Sequence, residues 1–268
     1  MDKTSKRIWE LDLFRGIAVV LMIFDHMMFD IWGLLPEFFN DFPGTNQVFN
    51  IVYRFSISYW QNPIRLVVRY LVIFVFLGIT GICCTLSRNN TKRGLKLLAV
   101  AMALTVGTGI YGFIVGDMDE TITFGILHCI AVSLLIVALL EKFCVDKRLY
   151  LLLGGLCIIL GAITESGQTF ASYYDNNFLV VMFNQILGIT YSGGDSFQLP
   201  LNLGMILIGV YLGKQFYLNR TSIFHKEYKN NLITFTGRNS LLLYFLHQLL
   251  LPIFMALILL CCGYKISF

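Results

Sequence analysis

Four side chains set inside one apolar run are the first candidates for chemistry in this chain: Asp12, Arg15, His26 and Asp30. On a helix turning about 100° per residue, Arg15 and His26 fall within roughly 20° of each other. Asp12 lies one turn before Arg15 and Asp30 one turn after His26, so the four make a single polar stripe. A charge inside a membrane helix costs ~2.5–3.5 kcal/mol on insertion scales, and such groups face a partner or a wet cavity. The run 7–30 therefore reads as a membrane helix that lines something.

A neutral imidazole takes a proton from a hydroxyl or amine, or attacks a thioester itself, and a carboxylate one turn away orients it and stabilises its cation. His26 and Asp30 have that relation. Asp25 points about 100° away from His26 and is expected to meet another helix. With a first span entering near Leu13, His26 sits roughly 20 Å from the inner face. His128, six residues into a run of opposite direction, sits ~9 Å below the outer face. The two histidines are thus expected at one level, with His128 either a partner base or a residue supporting the base from behind. Arg65 and Arg69 form an i, i+4 pair that can meet Asp25, Asp30 or Glu37, and Arg69, one turn deeper, is expected to have a buried partner. The last apolar run opens Thr236-Gly237-Arg238-Asn239-Ser240, and puts Ser240, Tyr244 and His247 on one face.

These positions must be held by membrane helices. Of 268 residues, 57% are hydrophobic and 13% charged. Soluble domains carry about 25% charged residues, so the composition specifies an all-α polytopic membrane bundle. Runs near 13–32, 65–86, 96–116, 122–140, 149–164, 199–217 and 239–262 are long enough to span, giving about seven transmembrane helices. The shorter run 178–189, broken by Asn184-Gln185, reads as re-entrant or interfacial. Lys3, Lys6 and Arg7, then Arg88, Lys92, Arg93 and Lys96, then Lys142, Lys147 and Arg148, then Lys214, Arg220, Lys226 and Lys229 occupy alternate loops. Seven spans put all of them on the cytoplasmic side and the C-terminus outside. No cleavable signal is expected: Arg15 interrupts the first run, which is long and lacks a small-residue cleavage site. The seven cysteines show no redox or zinc spacing, and all but Cys144 lie in apolar runs. No metal site and no nucleic-acid module is expected. The outer segment 33–63 is rich in aromatics (Trp32 at its edge, Phe38, Phe39, Tyr53, Tyr59, Trp60). The segment 165–198 adds Gln168, Tyr173, Tyr174, Asp175 and Asn176, then Ser192-Gly193-Gly194-Asp195. Aromatics beside amides and carboxylates suit sugar rings, and they equally suit an interfacial aromatic belt.

Four segments together resemble the heparan-α-glucosaminide N-acetyltransferase catalytic-domain family in its short bacterial form. They are Glu10-Leu11-Asp12-Leu13-Phe14-Arg15-Gly16 through His26, Phe74-Val75-Phe76-Leu77-Gly78-Ile79-Thr80-Gly81, Phe124-Gly125-Ile126-Leu127-His128-Cys129-Ile130-Ala131, and Gly237 through Gln248. Arg15 with His26 and the closing Tyr244-x-x-His247 also resemble membrane acyltransferases that acetylate surface polysaccharides. The resemblance implies an enzyme moving an acyl group, acetyl above all, from cytoplasmic acyl-CoA to a sugar hydroxyl or amine on the other face. It implies His26 as general base or acyl carrier, and Arg15 and Arg238 as neighbours of the CoA phosphates. Arg69, Asp25, His247 and Tyr244 are the candidates for contacting a glycan or glycolipid acceptor. In the lysosomal branch the catalytic histidine follows the first span; residues 33–63 contain no histidine.

The expectation is one membrane-embedded domain over 1–268 in the plasma membrane, surrounded by lipid, with Gly154-Gly155 as a face for a homodimer. Two rival readings use the same residues. A proton-coupled transporter or flippase needs intramembrane His, Asp and Arg, but no inverted repeat is visible. A non-catalytic subunit scaffolding glycan assembly would be indifferent to His26→Ala.

Overall fold

The computed structural model describes residues 8–39, 41–143, 146–173, 177–193, 195–224 and 231–266. Lys3, Lys6, Arg7, Cys144, Tyr174, Asp175, Asn176, Gly194, Lys226 and Lys229 lie outside the described residues. Eleven α-helices account for nearly all the described structure: α1 (Trp9–Phe29), α2 (Leu35–Phe38), α3 (Gln47–Gln61), α4 (Pro63–Leu86), α5 (Asn90–Val115), α6 (Ile126–Lys142), α7 (Lys147–Ser166), α8 (Phe178–Leu187), α9 (Leu199–Phe216), α10 (Leu232–Arg238) and α11 (Ser240–Cys261). A two-residue parallel pair, β1 (Thr169–Phe170) and β2 (Thr190–Tyr191), is the only sheet among them.

Six helical segments are long and apolar enough to cross a membrane: Trp9–Phe38, Pro63–Leu86, Asn90–Val115, Lys147–Ser166, Leu199–Phe216 and Ser240–Cys261. Their outer surfaces carry large exposed side chains such as Phe113 at 81% and Ile114 at 76%, which only lipid would cover. The chain is an all-α, multi-pass membrane protein. The seventh expected span, 122–140, is represented by α6, a helix of 17 residues, or about 25 Å against a hydrocarbon core of about 30 Å. It starts late because residues 121–125 form a buried turn, in which the Asp195 carboxylate accepts the Ile126 N–H at 3.1 Å. At 10 residues, α8 is too short to cross.

The chain forms two compact units, Met1–Phe76 with Phe224–Phe268, and Leu77–Ile223. In the first, α1 packs along α10, with Gly16 and Gly237 at the crossing. A Cβ on Gly16 would lie 1.9 Å from the Ile233 carbonyl oxygen, and one on Gly237 would lie 1.8 Å from that of Asp12. α1 continues through a π-helical stretch, Asp30–Leu34, into α2. Met28, Ile31, Leu35, Phe39, Phe42 and Leu259 form the core beside it. The segment 33–63, read from sequence as an outer loop, contains α3. Asn46 caps it by accepting the Val48 N–H at 2.9 Å. Its stripe Val48, Ile51, Val52 and Phe55 is exposed, as on a helix lying in a membrane interface.

In the second unit, α7 packs on α9 and α5 on α6. Here too, backbones approach through small residues: a Cβ on Gly81 of α4 would lie 2.0 Å from the Ile206 carbonyl oxygen of α9. Gly81→Leu is expected to lower the thermal unfolding midpoint in detergent, because the added carbons meet backbone that cannot give way. Gly155→Leu, where nothing lies within 4 Å, is expected to leave the midpoint unchanged. Gly154 is spoken for inside the chain, 3.1 Å by the same measure from the Gly204 carbonyl oxygen. Of the Gly154-Gly155 pair, Gly155 is thus the residue left open on the surface of α7.

Candidate functional site

The polar centre of the first unit lies where α1 meets α11. His26 sits on α1 with its Nδ1 2.8 Å from the Met22 carbonyl oxygen. His247 sits on α11 with its Nδ1 3.1 Å from the Leu243 carbonyl oxygen. A carbonyl only accepts, so each Nδ1 carries the hydrogen, and each neutral ring keeps its lone pair on Nε2. Both histidines are therefore set in the tautomer a base requires. Their rings meet edge to face, with centroids 5.0 Å apart at 77°. Tyr244, one turn earlier on α11, has its ring 5.8 Å from that of His247.

Asp30 is buried at 2% exposure and opens the π-helical stretch. It lies within coulombic reach of His26. The two side chains share no hydrogen bond, since the His26 nitrogen that would meet a carboxylate is held by Met22. Asp30 thus acts on His26 through charge.

Asp25 faces away from His26, as expected, and anchors α1 to the neighbouring helices. Arg65 of α4 grips it with both prongs, Nε to Oδ1 at 2.8 Å and Nη2 to Oδ2 at 2.9 Å. The Tyr59 hydroxyl adds a third bond to Oδ1 at 2.9 Å. Burial, then the hydrogen bond to Asp25, pushes the Tyr59 hydroxyl up to about 12, so it stays a donor at any ordinary pH. The Arg65 guanidinium lies 3.3 Å from the Trp60 ring centre. Trp60 in turn stacks on Trp32 at 5.4 Å and 21°. Sequence spacing favoured Arg69 over Arg65 for a buried partner; the structure reverses this. Arg65 is 8% exposed while Arg69 is exposed, because both Asp25 oxygens are already taken by Arg65.

Near the other end of α1, Arg238 Nε donates to Asp12 Oδ2 at 3.2 Å, with both side chains partly buried. Arg15 is half-buried one turn further along α1. About 16 Å of helix separates Arg15 from His26.

His128 belongs to the second unit, and both its nitrogens are engaged there. Nδ1 accepts the Gly125 N–H at 3.4 Å, so Nε2 carries the hydrogen and faces Thr105 Oγ1 at 3.0 Å. Thr105 accepts that hydrogen while its own goes to the Ile122 carbonyl at 2.7 Å. This is the tautomer opposite to that of His26, and it makes His128 a cap for α6 with no lone pair to spare. The basic loop after α4 is likewise tied into structure: Arg93 donates to the Cys83 carbonyl and Asn90, and Asn90 to Glu141. An open recess of about 290 Å³ beside it is lined by Arg88, Asn89, Asn90, Thr91, Glu141 and Lys142.

Spacing on one helix placed Asp12, Arg15, His26 and Asp30 on one stripe along α1 and the π-helical stretch that continues it. It missed that His247 would meet His26 ring to ring, and that Tyr59 and Trp60 would complete the Asp25–Arg65 cluster. The Tyr59-Trp60 pair at the end of an amphipathic stretch was the available signal for the latter.

Residues 7–42 and 45–249 match the family model of heparan-alpha-glucosaminide N-acetyltransferase, catalytic. The chain belongs to this family. It is accordingly a multi-pass membrane acetyltransferase, and the α1–α11 centre is the candidate acyltransfer site of a family member. No curated protein and no solved structure matches the chain.

Proposed function

We propose that the protein transfers an acetyl group from acetyl-CoA to a sugar hydroxyl or amine, with His26 as the general base. The observation that carries this reading is the His26 tautomer: Nδ1–H fixed on the Met22 carbonyl and a lone pair on Nε2. The acceptor O–H or N–H gives its proton to Nε2 as the oxygen or nitrogen attacks the thioester carbonyl. The C–S bond then breaks, and the leaving thiolate takes the proton back from His26. Asp30, held close by burial, favours the imidazolium between these steps.

The donor's phosphates are assigned to the Arg15 and Arg238 end of α1, where Asp12 orients Arg238. The acceptor is assigned to the opposite end, a glycan or glycolipid stacking on aromatics such as Trp32 with the exposed Arg69 as a polar contact, and its reacting end reaching Tyr244 beside His247. The orientation follows from the basic loops. When α6 counts as a crossing, Arg88–Arg93, Lys142–Arg148 and Lys214–Arg220 all fall on the cytoplasmic side of the plasma membrane, and the C-terminus lies outside.

Acetyl-CoA binding to purified protein tests the donor site without knowledge of the acceptor. Saturable binding that weakens about tenfold or more in Arg15→Ala and survives in His26→Ala is expected, since a guanidinium–phosphate contact contributes about 1.5–3 kcal/mol. Absence of binding at millimolar acetyl-CoA would overturn the acyl-CoA reading.

A further inference from the structure

Resting on the reading of His26 as base, we propose that His247 is a second proton-handling group of the site, sharing with His26 the single proton taken from the acceptor. His247 is 7% exposed, and among the described residues its Nε2 has no hydrogen-bond partner. A buried acceptor atom left unpaired is destabilising unless the working site supplies a donor. The His26 ring is in contact at 5.0 Å. In the resting tautomers neither Nε2 carries a hydrogen, so the two rings have nothing to exchange. Once His26 takes the acceptor's proton, its Nε2–H becomes a donor on a ring packed edge to face against the ring whose Nε2 lacks one. The proton is shared between the two rings until the CoA thiolate reclaims it, and both imidazoles return neutral. Proton number and charge are conserved through the cycle, and no other reactant is needed.

The arrangement also limits the pair to one charge. Two imidazolium rings at this separation repel, and the surroundings offer few compensating groups. From α1, Asp30 is the nearby carboxylate, since Asp25 is already neutralised by Arg65 and held by Tyr59. From α11 the neighbours are Tyr244 and Gln248, both uncharged.

The chain has only four histidines, so ring-labelled histidine is resolvable by NMR in detergent micelles. Titrations of wild type, His26→Gln and His247→Gln decide the proposal without any acceptor. The ring that titrates second in wild type is expected to move to higher pH when its neighbour becomes glutamine, because the repulsion is gone. Rings that titrate alike with and without the neighbour would overturn the sharing. A kinetic arm separates this proposal from the one beneath it, using thiol release from acetyl-CoA with a soluble amino-sugar glycoside. His247→Gln is expected to lose about 100-fold in kcat at unchanged KM for acetyl-CoA, the scale of one proton-transfer group. Glutamine keeps an acceptor atom of similar reach but cannot carry a proton, so a purely structural His247 would be rescued by it. Wild-type kcat in His247→Gln with a dead His26→Gln would remove the relay alone. Full activity in His26→Gln would remove the base reading.

Discussion

His26→Ala is expected to abolish acetyl transfer while leaving the protein inserted, folded and able to bind acetyl-CoA. The loss should be at least about 10²–10⁴-fold, the range that one positioned general base supplies. His26 makes a single local hydrogen bond, to Met22 one turn back on its own helix, and α1 is held elsewhere, by the Gly16–Gly237 crossing and the Asp25–Arg65 pair. Removing the ring therefore takes away a proton acceptor and its edge contact with His247, but no hydrogen bond between helices. The measurement is thiol release beside a thermal melt in the same detergent. An unchanged melt with activity lost supports the assignment; activity within a few-fold of wild type would sink it. His128→Ala should behave differently, since that ring joins Gly125 to Thr105 at the start of α6. Its first effect should be on the melt.

Arg65→Ala is expected to lower stability by about 3 kcal/mol, and more than Arg69→Ala by that margin. The Arg65 and Asp25 side chains are 7% and 20% exposed, so losing the guanidinium leaves a carboxylate largely out of water with only Tyr59 to hydrogen-bond it. Breaking one side of a buried pair costs about 3–5 kcal/mol, and the residual exposure of Asp25 places this case at the low end. Trp60 also loses the cation lying on its ring. Combining Arg65→Gln with Asp25→Asn is expected to restore most of the stability, because no buried charge remains. A double variant as unstable as Arg65→Ala would show that the ion pair itself, not the orphaned charge, was the source. Arg69→Ala removes an exposed side chain and should move the melt little.

Composition alone was enough for the fold class. A chain with 13% charged residues and apolar runs of about 20 cannot satisfy its backbone in lipid except as helices. The runs that became α4, α7, α9 and α11 were legible to within two or three residues, because each is bounded by charges or cap residues. Helix α6 was less so, since its start is fixed by a carboxylate 69 residues later, Asp195 on Ile126. The amphipathic α3 was hidden in a segment whose aromatics looked like a loop lining, because periodicity there serves an interface rather than a core.

At the site, the sequence by itself determined which residues lie on one face of α1, since a helix has a fixed turn of about 100° per residue. It therefore placed Asp12, Arg15, His26 and Asp30 together. Spacing could not decide which of Arg65 and Arg69 would meet Asp25, nor which histidine would stand beside His26. Those are contacts between helices, set by the depth and rotation at which glycines such as Gly16 and Gly237 let backbones approach. Only the tertiary structure settled them, and with them the tautomers: lone pairs on Nε2 for His26 and His247, and a spent ring at His128.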